Sequence, residues 1–77
     1  MITVLLFAHL QEAFGKERVV VEQENITISD LKALLEETYN VTISPSNMIA
    51  VNEEYAEDEE VVQSGDTVAF IPPVSGG

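Results

Sequence analysis

Residues 27–40 read TISDLKALLEETYN and contain the helix that decides the fold class. Thr27 precedes Asp30 by three residues, which is typical of a helix N-cap, and Asn40 suits the left-handed position at a helix C-terminus. Between these two ends, apolar residues recur at helical spacing on one stripe: Ile28, Leu31, Leu34, Leu35 and Tyr39. The pattern therefore predicts one amphipathic helix that covers one face of a sheet.

Strand patterns flank this helix on both sides. Four runs are rich in β-branched and aromatic residues: residues 1–8, residues 18–22, Met48–Val51 and Thr67–Ile71. We expect the first and the last of these runs to pair in parallel at the centre of the sheet. The predicted fold class is α+β: a small β-grasp (ubiquitin-like) roll that has a mixed sheet, one main helix and an extended C-terminal Gly-Gly tail.

Shorter patterns predict the connections. His9–Phe14 is expected to form a helical turn that ends at Gly15, and Asn52-Glu53 a tight turn before a short return strand at Tyr55. Residues 57–60 read EDEE and predict a solvated segment that opens a single helical turn and buries the two valines that follow it.

The composition excludes several classes of function. Three cations, Lys16, Arg18 and Lys32, stand against fourteen acidic residues, so the net charge is -11. Nucleic acids and anionic membranes are therefore not expected as partners, whereas a protein with a basic face would be attracted. The chain has no cysteine and one histidine, which argues against disulfides, thiolate nucleophiles and the usual zinc sites, and no metal site is expected. We expect a cytoplasmic protein.

The last six residues, 72–77, differ from the rest of the chain. Pro72 and Pro73 have no backbone N–H, so strand pairing should stop there, and we divide the chain into a domain at 1–71 and a flexible tail at 72–77. The tail ends in two glycines and can reach about 17 Å beyond Pro72. From the residues alone, a frayed terminus and an arm that enters a narrow channel of another enzyme are equally good interpretations.

Residues 70–77, FIPPVSGG, resemble the end of the molybdopterin synthase small subunits, which are MoaD-type ubiquitin-like sulfur carriers. The resemblance covers the whole chain and includes three further groups of residues: Leu6-Phe7-Ala8 with Glu12, Ala50-Val51-Asn52, and Gly65-Asp66. One departure concerns Gln11, because many members of that family have an arginine there.

This resemblance implies a chemical role for the tail. Gly77 would be adenylated at its carboxylate by a ubiquitin-activating-type adenylyltransferase that uses ATP, and a sulfur donor protein would then supply the sulfur of a thiocarboxylate. Gly76 would lead this group into the large subunit of molybdopterin synthase, where the sulfur passes to cyclic pyranopterin monophosphate. The resemblance also implies a heterotetramer, a chain that binds no cofactor, and catalytic residues on the large subunit, so that the chain is no enzyme by itself.

The residues agree with this role in two ways. Without cysteine, the chain can hold transferable sulfur only as a C-terminal thiocarboxylate. The anionic substrate would be repelled by a net charge of -11, so the cations that contact its phosphate are expected on the partner.

We expect the surface that binds the partner to surround the tail. Its candidate residues are Phe7, Phe70, Ile71, Pro72, Pro73, Val74 and Ser75. Because side chains alternate along a strand, only one of Phe70 and Ile71 can face the core, and we expect at least one of Phe7, Phe70 and Ile71 to contact the partner.

Three other functions stay open at this stage. The chain could serve as a sulfur carrier for thiamin thiazole or nucleoside thiolation, although its Pro-Pro-Val-Ser ending argues against this. It could be a protein modifier that forms isopeptide bonds through Gly77. It could also be a binding module whose tail has no chemical role.

Overall fold

The computed structural model describes residues 1–44 and 46–72. The elements in these residues follow one another in this order: β1 (Ile2–Leu6), α1 (His9–Phe14), β2 (Arg18–Val21), β3 (Asn25–Thr27), α2 (Ile28–Tyr39), β4 (Met48–Val51), β5 (Glu54–Tyr55), β6 (Val61–Gln63) and β7 (Thr67–Ile71). The main helix and the principal strands thus lie where the sequence pattern predicts them.

Five strands form a mixed sheet in the order β2-β1-β7-β4-β5. The predicted parallel pair is confirmed: β1 and β7 come from opposite ends of the described chain and lie side by side, with Leu5 opposite Ala69. The other neighbours in this sheet are antiparallel. The predicted turn is also confirmed, because Asn52 and Glu53 both have positive φ and connect β4 to β5 as a two-residue hairpin loop.

Helix α2 covers one face of this sheet. Its apolar stripe buries Ile28, Leu31 and Leu35 in the same core as alternate residues of β1 and β7. The predicted ends are confirmed: the Oγ1 of Thr27 accepts a hydrogen bond from the N–H of Asp30 at 3.1 Å, and Asn40 has a left-handed backbone. The core forms on this side of the sheet, and none of the helices within residues 1–44 and 46–72 covers the opposite face.

A second, two-stranded sheet corrects the prediction for residues 57–60. These residues form one hydrogen-bonded turn, in which Glu60 N–H donates to the carbonyl of Glu57 at 3.0 Å, but no helix. The turn leads into β6, which pairs with β3 so that Ile26 lies opposite Val62. The first amides of α2 explain this, since Ile28 N–H donates to the carbonyl of Glu60 and Ser29 N–H to that of Asp58, both at 3.0 Å. The expectation of two buried valines is half correct, because the first, at position 61, is 56% exposed.

Candidate functional site

The uncovered face of the main sheet forms an apolar groove. Alternation along β7 buries Val68 and Phe70 and places Ala69 and Ile71 on this open face. The groove has a volume of about 340 Å³ and is lined by Leu5, Phe7, Ala50, Asn52, Glu53, Tyr55, Thr67, Ala69 and Ile71. Because β7 ends at Ile71, one end of the groove lies where the predicted tail begins.

One row of opposed residues crosses this groove from edge to edge. Arg18 lies opposite Leu5, Leu5 opposite Ala69, Ala69 opposite Ala50, and Ala50 opposite Tyr55. Directly opposed residues present their side chains on the same face of a sheet. The centre of the row is therefore apolar, and its two alanines have short side chains that leave room for the groove. Arg18 stands at one edge of the row and the exposed Tyr55 at the other.

The structure places some of the predicted partner-binding residues on the surface and one in the core. Phe7 is 40% exposed and lines the groove together with Ile71, and Pro72 follows half-buried. Phe70 is fully buried, so its predicted place on the partner surface is wrong: alternation turns it into the core and gives the surface position to Ile71. The remaining candidates lie outside the described residues: Pro73, Val74, Ser75, Gly76 and Gly77.

Gln11 fixes the turn that follows β1. Its Nε2 donates a hydrogen bond of 2.9 Å to the carbonyl of Leu6, and Leu10 N–H donates to the carbonyl of Phe7. Ala8 has φ 52, a backbone conformation that costs energy for a residue with a Cβ. The two hydrogen bonds stabilise the turn against this cost. Gln11 thereby helps to position Phe7 at the end of the groove.

A hydrogen-bonded pair, Asn52 and Asp66, fixes the other wall of the groove. Asn52 Nδ2 donates to Asp66 Oδ1 at 3.0 Å, and Asn52 Oδ1 accepts from the N–H of Thr67 at 3.0 Å. The second carboxylate oxygen of Asp66 accepts from the N–H of Gln63 at 2.8 Å. These bonds tie the β4–β5 hairpin, whose loop lines the groove, to the start of β7.

Asp66 should contribute to the pH dependence of stability. The hydrogen bond from Gln63 N–H, and then that from Asn52, hold the pKa of Asp66 below its ordinary value of 3.8. A carboxyl group whose pKa is lowered by folding stabilises the protein above its unfolded-state pKa and loses this effect as the pH falls through its folded-state pKa. We expect Asp66→Asn to be less stable than wild type at neutral pH, with a difference that narrows below pH 3.8.

Urea unfolding at neutral pH and near pH 3 would measure this difference. Glu59→Gln is the matched control, because Glu59 is exposed and takes part in none of these bonds. A difference between wild type and Asp66→Asn that stays constant over this pH range would show that the carboxylate is not the group responsible.

Comparison with known proteins assigns the chain to a family. Residues 4–77 match the family model of ThiS. The chain belongs to the ThiS family. The molybdopterin synthase sulfur carrier subunit of Dictyostelium discoideum is 36% identical to this ThiS-family chain, over 96% of the chain and 93% of its own length. The resemblance inferred from the FIPPVSGG ending is thereby confirmed.

Solved structures agree with this assignment. The crystal structure of SAMP1 from Haloferax volcanii has a TM-score of 0.79 and 28% identity, and it covers 99% of the ThiS-family chain and 98% of its own. The complex of subunits 1 and 2 of molybdopterin-converting factor from Helicobacter pylori matches with a TM-score of 0.69 and 22% identity, covering 99% and 97%. The predicted ubiquitin-like β-grasp fold is confirmed.

The described residues, 1–44 and 46–72, contain no group of three or more potential metal-ligating side chains. No helix among them is long and apolar enough to cross a membrane.

Sequence reasoning missed several residues that form the groove of this ThiS-family chain. Leu5 and Ala69 could have been found from the alternation of β1 and β7, once these strands are paired in parallel. Tyr55 could have been placed opposite Ala50 from the two-residue turn. The bond between Asn52 and Asp66 has no signal in the sequence, since fourteen residues separate them.

Proposed function

We propose that this chain is the sulfur carrier subunit of a molybdopterin synthase. The observation that carries the proposal is the position of the groove, which ends at Ile71 just before a tail that resembles the reactive end of these subunits. Relatives that bear this name match the chain over nearly its full length, which also supports it. The chain is then the sulfur-donating part of a sulfurtransferase rather than an enzyme by itself.

The proposed chemistry takes place at Gly77. Its carboxylate oxygen attacks the α-phosphorus of ATP in the active site of an adenylyltransferase, and pyrophosphate leaves. Sulfide-level sulfur from a donor protein then displaces AMP and forms the thiocarboxylate. In the large subunit this sulfur attacks a carbon of cyclic pyranopterin monophosphate and displaces an oxygen from it. Water then cleaves the bond between the sulfur and the acyl carbon of Gly77, so that the sulfur stays on the substrate and the carboxylate is restored. ATP is thus a substrate of the activating enzyme, and the carrier itself binds no cofactor.

The proposed partner of the groove is the large subunit. The structure of subunits 1 and 2 from Helicobacter pylori is a protein–protein complex, and its matching chain has the same fold. An apolar groove beside an emerging tail can dock the partner, while Gly76 and Gly77 extend into its active site. We propose a heterotetramer of two carriers and a large-subunit dimer, in which the cations that contact the substrate phosphate belong to the large subunit. A cytoplasmic location stays a prediction.

The intact mass of the untagged protein tests the proposed function. After incubation with ATP, a sulfur donor and the cognate adenylyltransferase, we expect a mass increase that equals the replacement of one oxygen by sulfur. Mild hydrolysis should reverse this increase. If the mass stays unchanged under these conditions, the carrier function is refuted and the binding module becomes the better interpretation.

One comparison favours a second candidate function. The structural relative from Haloferax volcanii is described as a small archaeal modifier protein, which fits an isopeptide-forming modifier. Denaturing gels of a cell extract, probed for this chain, distinguish the two: a modifier gives a ladder of covalent conjugates, whereas a carrier gives one band. A reconstituted assay with alternative precursors separates the molybdopterin carrier from a thiamin or nucleoside carrier.

A further inference from the structure

The three cations of the chain have different surroundings. Lys32 Nζ forms an ion pair with Asp58 Oδ1 at 3.0 Å, and Lys16 Nζ lies 5.9 Å from the centre of the Tyr39 ring. Arg18 is exposed and has no ion-pair partner within the two described stretches, 1–44 and 46–72. Arg18 is thus an exposed positive charge that no ion pair in these stretches neutralises, in a chain with a net charge of -11.

Arg18 lies on the proposed docking face. It lines a polar notch together with Leu5, Phe7, Gln11 and Glu17, and two of these residues, Leu5 and Phe7, also line the apolar groove. The notch and the groove are therefore one continuous surface. A partner that fills the groove beside Phe7 also covers Arg18.

The open face therefore carries a positive charge on one side of the groove and a negative charge on the other. Arg18 stands at the β2 edge of the row that crosses the sheet, and Glu53 lines the groove in the loop that joins β4 to β5. Three to four strand spacings separate β2 from this loop, which corresponds to about 14–19 Å across the sheet. Two charges of opposite sign at this distance can define the direction in which a partner lies across the groove.

We propose that Arg18 determines which basic protein can dock on this face, an inference that rests on the proposed carrier function. The required partner has a basic docking face with one carboxylate opposite Arg18 and cations opposite Glu53. The planar guanidinium suits such a carboxylate because it can donate two parallel hydrogen bonds.

The positive charge of Arg18 also disfavours the binding of other basic proteins. The net charge of -11 attracts basic surfaces of every kind from a distance. A uniformly basic surface that settles on the groove would place a like charge against Arg18, and this contact opposes binding. Arg18 thus admits the partner with a matching carboxylate and fixes its register relative to the start of the tail at Pro72.

The dissociation constant of the complex with the large subunit, measured by calorimetry on the full chain, tests this inference. We expect Arg18→Gln to weaken binding by about 3- to 10-fold and Arg18→Glu by at least about 30-fold, with smaller effects at high salt. At limiting large subunit, sulfur transfer should fall in proportion to the loss of binding, because Arg18 contacts the partner.

The direction in which Arg18→Gln changes the dissociation constant distinguishes this inference from attraction by net charge alone. Arg18→Gln makes the chain more acidic, so attraction by net charge alone would tighten binding to a basic partner. Lys32→Gln makes the same change of charge on the α2 side and is expected to stay within about twofold of wild type. Melting temperatures of all variants exclude loss of folding as the cause.

A charge exchange completes the test. Replacing the facing carboxylate of the large subunit by arginine should restore binding of Arg18→Glu. Unchanged or tighter binding of Arg18→Gln overturns the inference about Arg18 and leaves the carrier function standing. If the wild-type chain does not bind the large subunit at all, the proposed function itself is overturned.

Discussion

Removal of Gly76 and Gly77 is expected to abolish sulfur loading and sulfur transfer while the fold stays intact. The proposed reaction takes place at the carboxylate of Gly77, and a chain without cysteine has no other group that could hold the sulfur. We expect a loss of at least about 10³-fold, as when a covalent nucleophile is removed. We expect stability to stay close to that of wild type, because the buried core of the described residues is built from positions 2–70. Intact mass and reconstituted transfer measure the two losses, and urea unfolding measures stability.

A shorter deletion shows whether reach matters as well as chemistry. Removal of Gly77 alone leaves a glycine carboxylate, but one that ends about 3.5 Å earlier. Because a misplacement of 1 Å can cost about 100-fold, we expect this variant to be nearly as inactive as the double deletion. Thr38→Ala, an exposed position on α2, is the control that should keep full activity. Full sulfur transfer by the double deletion would refute the proposed chemistry at Gly77.

The parts of the fold that follow local rules could be predicted from the sequence. The capped helix α2 and the turn at Asn52-Glu53 have signals in periodicity and turn chemistry. The parallel pairing of β1 with β7 is not local; it is predicted from the β-grasp arrangement that the order of the elements suggests. The segment at 57–60 could not be predicted, because its conformation depends on the amides at the start of α2, about thirty residues earlier in the chain. Tertiary contacts of this kind override local preference.

The candidate site was predictable to a similar degree. Alternation requires that one of Phe70 and Ile71 faces the core, but it does not say which one. That choice depends on the register of β7 between β1 and β4, and the structure gives the core position to Phe70. The residues at the two edges of the groove follow from the same register, since it places Arg18 at one end of a row and Tyr55 at the other. The sequence could thus supply the list of candidates, whereas the pairing of strands decides their roles.

Phe70→Ala is expected to affect mainly stability and Phe7→Ala mainly binding, although both remove a phenylalanine near the start of the tail. Phe70 is fully buried, so its removal leaves a cavity and should lower the free energy of unfolding by about 3–5 kcal/mol. A domain of this size has roughly 4–11 kcal/mol in total, so this loss would take a large share of its stability. Phe7 is 40% exposed in the groove, and its removal should cost less than about 1 kcal/mol.

For the affinity to the large subunit, the order of the two residues is reversed: Phe7 should matter more than Phe70. Phe7→Ala should weaken binding to the large subunit about tenfold or more, because an aromatic side chain that lines both the groove and the adjoining notch contributes strongly to docking. The more conservative Phe70→Leu retains most of the core volume, so it should stay folded and bind as wild type does. Urea unfolding and calorimetry on these variants measure both quantities. If Phe7→Ala destabilised the fold as much as Phe70→Ala, Phe7 would belong to the core, and the groove would lose the aromatic contact that lies nearest to the tail.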